Sequence, residues 1–388
     1  MTAEWYDLAQ RLHAARSGQP VPRLLHAPVP RVARPLAVRA RQQGRSVLVT
    51  VASPDTPAVS ARDDDALDVL GDLWVRVTAE AWQTLVTDDP ATLPALVHLA
   101  RRADPDSPAS EVAAHVAWWA DRGDFPGSGA VVRLLTGCRA RWITGTVPEA
   151  EQHPATWRTW LGITDDGCGG LLTALDRLTD APPLTLLDTL AEDDAWSWGR
   201  AQSEHTDGWD WRRPDTTSRA AVGLRARCDA ADLYAAALLT DPLFRRRAVH
   251  TGHAVVGSAT QPPNTRNRLT VLCERMDARL RTGNAVTGWT GAPGDTVADR
   301  FHGTVSATGV HAGRLALTLT GVTSHRPGDN AQVTLIPAAP STGTMRAGRQ
   351  RYSRLYGARR SWLTTGRTPT PTRRDVPLEV LVAGAEDD

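Results

Sequence analysis

The chain is 388 residues long, 41% hydrophobic and nearly neutral at +1, and all 44 of its basic side chains are arginine, because no lysine occurs in it. Without lysine there is no Gly-Lys-Ser/Thr phosphate loop, no pyridoxal Schiff base and no Ser-x-x-Lys nucleophile, since each needs an amine that arginine cannot supply. Scarce Ile, Asn, Phe, Tyr and Met beside abundant Ala, Arg, Gly, Pro, Asp and Thr trace the missing lysine to a GC-rich coding sequence rather than to function.

The length suits about two to three domains, and the apolar content suits packed cores. No apolar run reaches the roughly 20 residues that cross a bilayer, and Met1-Thr2-Ala3-Glu4-Trp5 does not read as a leader, so a cytoplasmic protein without a membrane partner is expected. Cys138, Cys168, Cys228 and Cys273 are widely spaced, with no Cys-x-x-Cys pair or zinc-ribbon cluster. They predict buried thiols in a reducing compartment, with no metal, no cofactor and no disulfide frame.

In chain order, residues 1–16 predict a short helix with Trp5, Leu8, Leu12 and Ala15 on one face. A connector rich in proline follows, and then Leu36–Arg41 and Ser46–Val51 flank Gln42-Gln43-Gly44-Arg45 as a hairpin. From Asp65 the period becomes helical, with Leu67, Leu70, Leu73, Trp74, Val77, Trp82 and Leu85 on one face up to Asp88-Asp89-Pro90. Further helices are predicted near 91–103, 109–122, 128–142, 154–161, 169–179, 184–200, 217–240 and 265–282, which makes the centre all-helical. After Gly283 the runs at 300–306, 314–320, 332–336 and 377–382 are short and β-branched, as strands of a small barrel would be. The expected fold class is α+β: a basic N-terminal helix, connector and hairpin over 1–52, a helical domain over 53–283, and a small C-terminal β-barrel over 284–388. The barrel has an OB-like architecture as one candidate.

Between Asp329 and Asp375 there is no acidic residue. Within that stretch lie Arg346, Arg349, Arg351, Arg354, Arg359, Arg360, Arg367, Arg373 and Arg374, interleaved with Tyr352, Tyr356 and Trp362. Guanidinium groups pair with phosphates while aromatic faces accept unpaired bases, so the pattern predicts a nucleic-acid-binding surface, DNA or RNA. Arg245, Arg246 and Arg247 form a second basic cluster that extends this surface, although a helix C-terminus would attract the same residues. The competing explanation is a structural or scaffolding subunit, part of a protein complex, whose arginines meet carboxylates of an acidic protein.

Other motifs are weaker. His250 and His253 lack the spacing and glutamate of a zinc protease, and the pairs Asp165-Asp166 and Asp193-Asp194 read as solvated turns or helix starts rather than metal ligands. Trp196/Trp198 and Trp209/Trp211 could line a stacking cleft on an extended segment, but with 14 tryptophans and three phenylalanines tryptophan reads as the bulk core aromatic, and Trp157 and Trp160 are expected in the core. A helix within Gly127–Trp142 ending in Arg139, Arg141 and Trp142, preceded by the helix that carries Trp118 and Trp119 and a Pro126-Gly127 turn, is a candidate helix-turn-helix. No catalytic residue is predicted, and a hydrolase using carboxylates and a histidine has no constellation behind it. The expectation is therefore a non-enzymatic nucleic-acid-binding factor.

Overall fold

The computed structural model describes residues 3–23, 25, 29–73, 82–180, 186–261, 267–297, 299–324 and 326–357. It divides into two compact units, residues 1–231 and 232–388.

The first unit opens with α1 (Ala3–Ser17) and the two-residue strand β1 (Val21–Pro22). The hairpin predicted from sequence is present as β2 (Leu36–Gln43) and β3 (Ser46–Ser53), turning at Gly44 with a φ of 65°, a conformation that glycine adopts without steric cost. A third antiparallel strand, β4 (Thr56–Arg62), runs directly into α2 (Asp63–Leu73). Next come β5 (Leu85–Thr87), α3 (Thr92–Ala100), α4 (Ala109–Arg122) and β6 (Val131–Arg133). They are followed by α5 (Leu134–Arg141), β7 (Trp142–Ile143), α6 (Pro154–Trp160), α7 (Cys168–Thr179), α8 (Leu187–Thr206) and α9 (Thr217–Leu238), in which the division at 231/232 falls.

The centre of this unit is not all-helical, because a five-stranded sheet of order β4-β3-β2-β5-β6 runs through it. β5 and β6 lie parallel to β2, whereas β3 and β4 are antiparallel to it. Both added strands are three residues long and wholly or largely buried, too short for their alternation to be told from helical spacing. Strand β6 also separates α4 from α5, which removes the helix-turn-helix arrangement.

Period-two alternation assigns the sheet's two faces. Leu36, Val38 and Ala40 join Val47, Val49 and Val51 in one core with residues of α2, α3 and α4. Ala37, Ala52, Val86 and Val132 join a second core with Leu134, Trp157, Leu171 and Leu175. Trp160 is only half-buried, in contrast to Trp157 one turn before it.

A polar knot fixes α4, α8 and the turn before β6. Arg122 is 2% exposed and donates from Nε to Asp194 Oδ1 at 2.5 Å and from Nη2 to Asp193 Oδ2 at 2.6 Å. Asp194 also accepts from the Ser128 hydroxyl at 2.9 Å and from the Gly129 N–H at 2.8 Å. Gly129 is required there, since a Cβ would stand 1.9 Å from the Arg31 carbonyl oxygen. Asp193 and Asp194 are thus interior ion-pair partners rather than a solvated helix start.

The second unit contains α10 (Pro242–His250) and then β8 (Val255–Thr260), β9 (Arg268–Cys273), β10 (Ala285–Thr290), β11 (Arg300–His311), β12 (Arg314–Ser324) and β13 (Gln332–Pro337), ending in α11 (Thr342–Gly357). The six strands close into an antiparallel barrel whose neighbours run β10-β11-β12-β9-β8-β13. The sequence boundary at 283/284 therefore cuts the barrel, and the helix expected over 265–282 is replaced in part by β9, whose Leu269, Val271 and Cys273 alternate inward. Gly288 makes room for the barrel core, because a Cβ there would lie 2.4 Å from the Phe301 ring. The strand expected at 377–382 lies outside the described residues. No helix among the described residues is long and apolar enough to cross a membrane.

Breaking a buried ion pair from one side leaves an uncompensated charge and costs about 3–5 kcal/mol. Asp194→Ala is expected to lose stability on that scale in urea unfolding followed by tryptophan fluorescence, while Asp188→Ala, on an exposed pair with Arg31, loses about 1 kcal/mol or less.

Candidate nucleic-acid interface

The two units carry opposite charge. Residues 1–231 hold 24 arginines and 31 acids, net −7, whereas residues 232–388 hold 20 arginines and 12 acids, net +8. In the first unit the arginines are extensively neutralised by its own carboxylates, as in Arg11–Glu151, Arg31–Asp188, Arg39–Asp88, Arg102–Asp63, Arg133–Asp124 and Arg227–Asp121. Of the eight arginines in residues 1–48, Arg11, Arg23, Arg31, Arg39 and Arg41 have a carboxylate of the same unit within ion-pair distance.

In the second unit the basic segment begins as a helix. α11 contains no acidic residue, and its 3.6-residue period sorts the side chains by face. Met345 and Arg349 are buried, and Tyr352 and Tyr356 follow on the same side, half-buried, with ring centroids 5.5 Å apart and planes tilted by 42°. Arg346, Arg351 and Arg354 are exposed on the remaining face. Among the described residues, neither Arg351 nor Arg354 meets a carboxylate within ion-pair distance. The helix thus separates what the sequence interleaves, with most arginines outward and tyrosines half inward. Arg359, Arg360, Trp362 and Arg367 lie outside the described residues.

The α10 cluster divides as well. Asp241 caps this helix, accepting from the N–H groups of Leu243 and Phe244, with Pro242 in the first turn. Arg245 points inward: its Nε donates to the Pro293 carbonyl at 2.7 Å, Nη1 to Thr240 at 3.1 Å and Nη2 to Asp295 at 2.9 Å. Its guanidinium also lies 5.2 Å from the Trp289 ring centroid, and burial lowers its pKa. Arg245 is a structural bracket on the 291–295 loop, not a phosphate-facing group, because its donors are directed to main-chain oxygens. Arg246 and Arg247 are exposed, and Arg246 lies over Gly294, where a Cβ would come within 2.4 Å of its Nε. Sequence reasoning missed Arg300, which is exposed, pairs with Trp289 across β10 and β11, and is close enough for its charge to act on Arg245. A lone arginine at the start of a strand carries no signal of that placement.

The remaining candidates resolve into packing. His253 Nδ1 lies 3.0 Å from the Thr251 hydroxyl, and no group of three potential metal ligands occurs among the described residues. Trp196 and Trp198 sit on helix α8 rather than on an extended segment, and Trp198 is buried against His115 and Trp118. Trp209 stacks under Arg219 at 4.2 Å, and Trp211 packs against the first core. Cys138, Cys168 and Cys273 are buried as expected, with burial pushing the Cys138 and Cys273 thiols up to about 12, while Cys228 is exposed.

Comparison of this chain with protein-family models, curated proteins and solved structures gives no match.

His115 gives a pH test of the core around α4. It is fully enclosed, with ring centroids 4.3 Å from Trp119 and 4.2 Å from Trp198, and burial pushes its pKa down to about 3. A base depressed in the folded state takes up protons first in the unfolded chain, so stability falls as pH drops below about 6.5, by roughly 1.4 kcal/mol per pH unit for this group. Urea unfolding at about pH 6.5 and pH 5 should show a loss roughly 2 kcal/mol smaller in His115→Phe than in the parent chain. An equal loss in both would remove His115 from the acid response.

Proposed function

We propose that residues 232–388 bind nucleic acid non-enzymatically through phosphate contacts. The carrying observation is α11, acid-free over its length, with Arg346, Arg351 and Arg354 exposed in a unit of net +8. Arg246 and Arg247 add exposed guanidiniums from α10, and Arg359, Arg360, Trp362 and Arg367 follow in the sequence. Because Tyr352 and Tyr356 are half-buried against each other, the reading gives the larger share of affinity to backbone phosphates and a smaller share to base stacking. In this proposal the barrel plays an OB-like part, as the rigid body on which the basic helices are carried.

Fluorescence anisotropy with a labelled single-stranded oligonucleotide tests it. Each phosphate contact contributes about −0.7 to the slope of log affinity against log salt on single strands. Arg351→Glu combined with Arg354→Glu should flatten that slope by about 1.4 and weaken binding about tenfold or more at low salt. Oligonucleotide binding that is absent at low salt, or indifferent to both substitutions, would overturn the proposal and shift weight to an acidic protein partner.

A further inference from the structure

The sheet of the first unit ends in two unlike edges. β6 is three residues long and runs straight into α5, whereas β4 offers seven residues, each exposed or half-exposed. An open edge presents unpaired N–H and C=O groups, which proteins commonly blunt with proline, a bulge or charge. On β4 the blunting is confined to the start, where Pro57 lies beside the register shift between Val51 and Ser53. Beyond it the edge is regular. Val47 of β3 donates its N–H to Asp63 at 3.0 Å, so its main chain faces the β4 side. Directions alternate along a strand, which turns Val49 and Val51 the same way, toward Ala61 and Val59. Ser60 and Arg62 have the opposite parity, so their N–H groups and the Ser60 carbonyl point off the sheet. Among the described residues no hydrogen bond reaches these groups.

Both faces beside this edge are acidic. The Ser60 and Thr50 hydroxyls meet at 2.8 Å on the side of the sheet that Ala52 and α7 occupy. Along that side an open groove of about 500 Å³ runs between the β3–β4 turn and α7, bordered by Ala58, Thr173, Asp55 and Asp176. On the other side α2 packs against β4 and exposes Asp65, Asp68 and Asp72. Among the described residues none of these carboxylates has an arginine within ion-pair distance. They belong to the unit of net −7.

We propose that β4 is a docking edge for an extended basic peptide, which adds as a further strand beside residues 58–62. Main-chain hydrogen bonds to Ser60 and Arg62 hold the added strand, and its alternate side chains set the specificity. An arginine opposite Ala58 enters the groove between Asp55 and Asp176, where a guanidinium fork suits a carboxylate. The aspartates of α2 add a field of the same sign along the opposite face. A second copy of this chain fits less well. Pairing β4 with β4 lays the two α2 rows of aspartates against each other, and such like-charge approach is costly.

The test is fluorescence anisotropy on the full chain with a labelled peptide that alternates arginine and threonine. The same peptide with its backbone nitrogens methylated keeps the charge but cannot join a ladder, and it should bind about tenfold or more weakly. Asp55→Asn combined with Asp176→Asn, both at exposed positions, should weaken the unmethylated peptide by about tenfold while circular dichroism stays unchanged. Amide hydrogen exchange in residues 56–62 should slow when that peptide is added. No binding at low salt, equal binding of the methylated peptide, indifference to the paired substitution, or exchange slowed by protein concentration instead of by peptide would each overturn the proposal.

Discussion

A guanidinium with no access to water has to be answered from every side, and Arg122 meets that condition by drawing three separate parts of the chain together. Its own helix, α4, packs on the sheet; Asp193 and Asp194 come from α8; and Ser128 and Gly129 belong to the turn that launches β6. Removing two carboxylates and a guanidinium from water costs several kcal/mol per ion before any attraction is counted, so the knot is weak evidence of net stability. What it supplies is definition. The placement of α8 that brings both carboxylates to Arg122 and Asp194 to the Gly129 N–H also sets Trp198 against His115 and Trp118. The start of β6, and with it the parallel edge of the sheet, depends on the same turn.

Charge is then distributed on a simple division. Arginines of the first unit are matched largely to acids of the same unit, many in charge-assisted pairs between 2.6 and 2.9 Å. The second unit has a large excess of cations over anions, and its longest acid-free element is a surface helix. A field of one sign that its own unit does not cancel is what attracts a polyanion at long range. The opposite signs of the two units are hidden in the overall charge of +1.

Where elements were long or strictly periodic, the sequence was readable. The hairpin around Gly44, the helices at 109–122, 169–179 and 217–238, and the alternation of the barrel strands follow from residue spacing and turn chemistry. Three-residue strands such as Leu85–Thr87 are below the length at which period two can be told from period 3.6. The barrel boundary was misplaced because the arginines from 275 to 281 mimic a helical surface, although Leu269, Val271 and Cys273 before them point into the barrel. Of the basic site, composition located α11 but not its faces. Arg349 and Arg351 are equivalent in sequence terms, yet one is buried and the other exposed, because a helix seats every third or fourth residue against its support.

The absence of lysine is the reason composition alone overstates the surface open to an anionic polymer. In most chains interior and bracing positions draw on arginine while surface positions are shared with lysine, whereas here one residue type fills both roles. Arg245 illustrates the interior use: three donors on one planar group reach three carbonyls on two segments, a geometry beyond a lysine ammonium on a single stem. Arg11 does the same, reaching Asp7, Glu151 and the Thr146 carbonyl at once. An arginine therefore becomes evidence for a binding surface only after its donors have been traced. By that measure Arg351, Arg354, Arg246 and Arg247 stand apart from Arg122, Arg245 and Arg39.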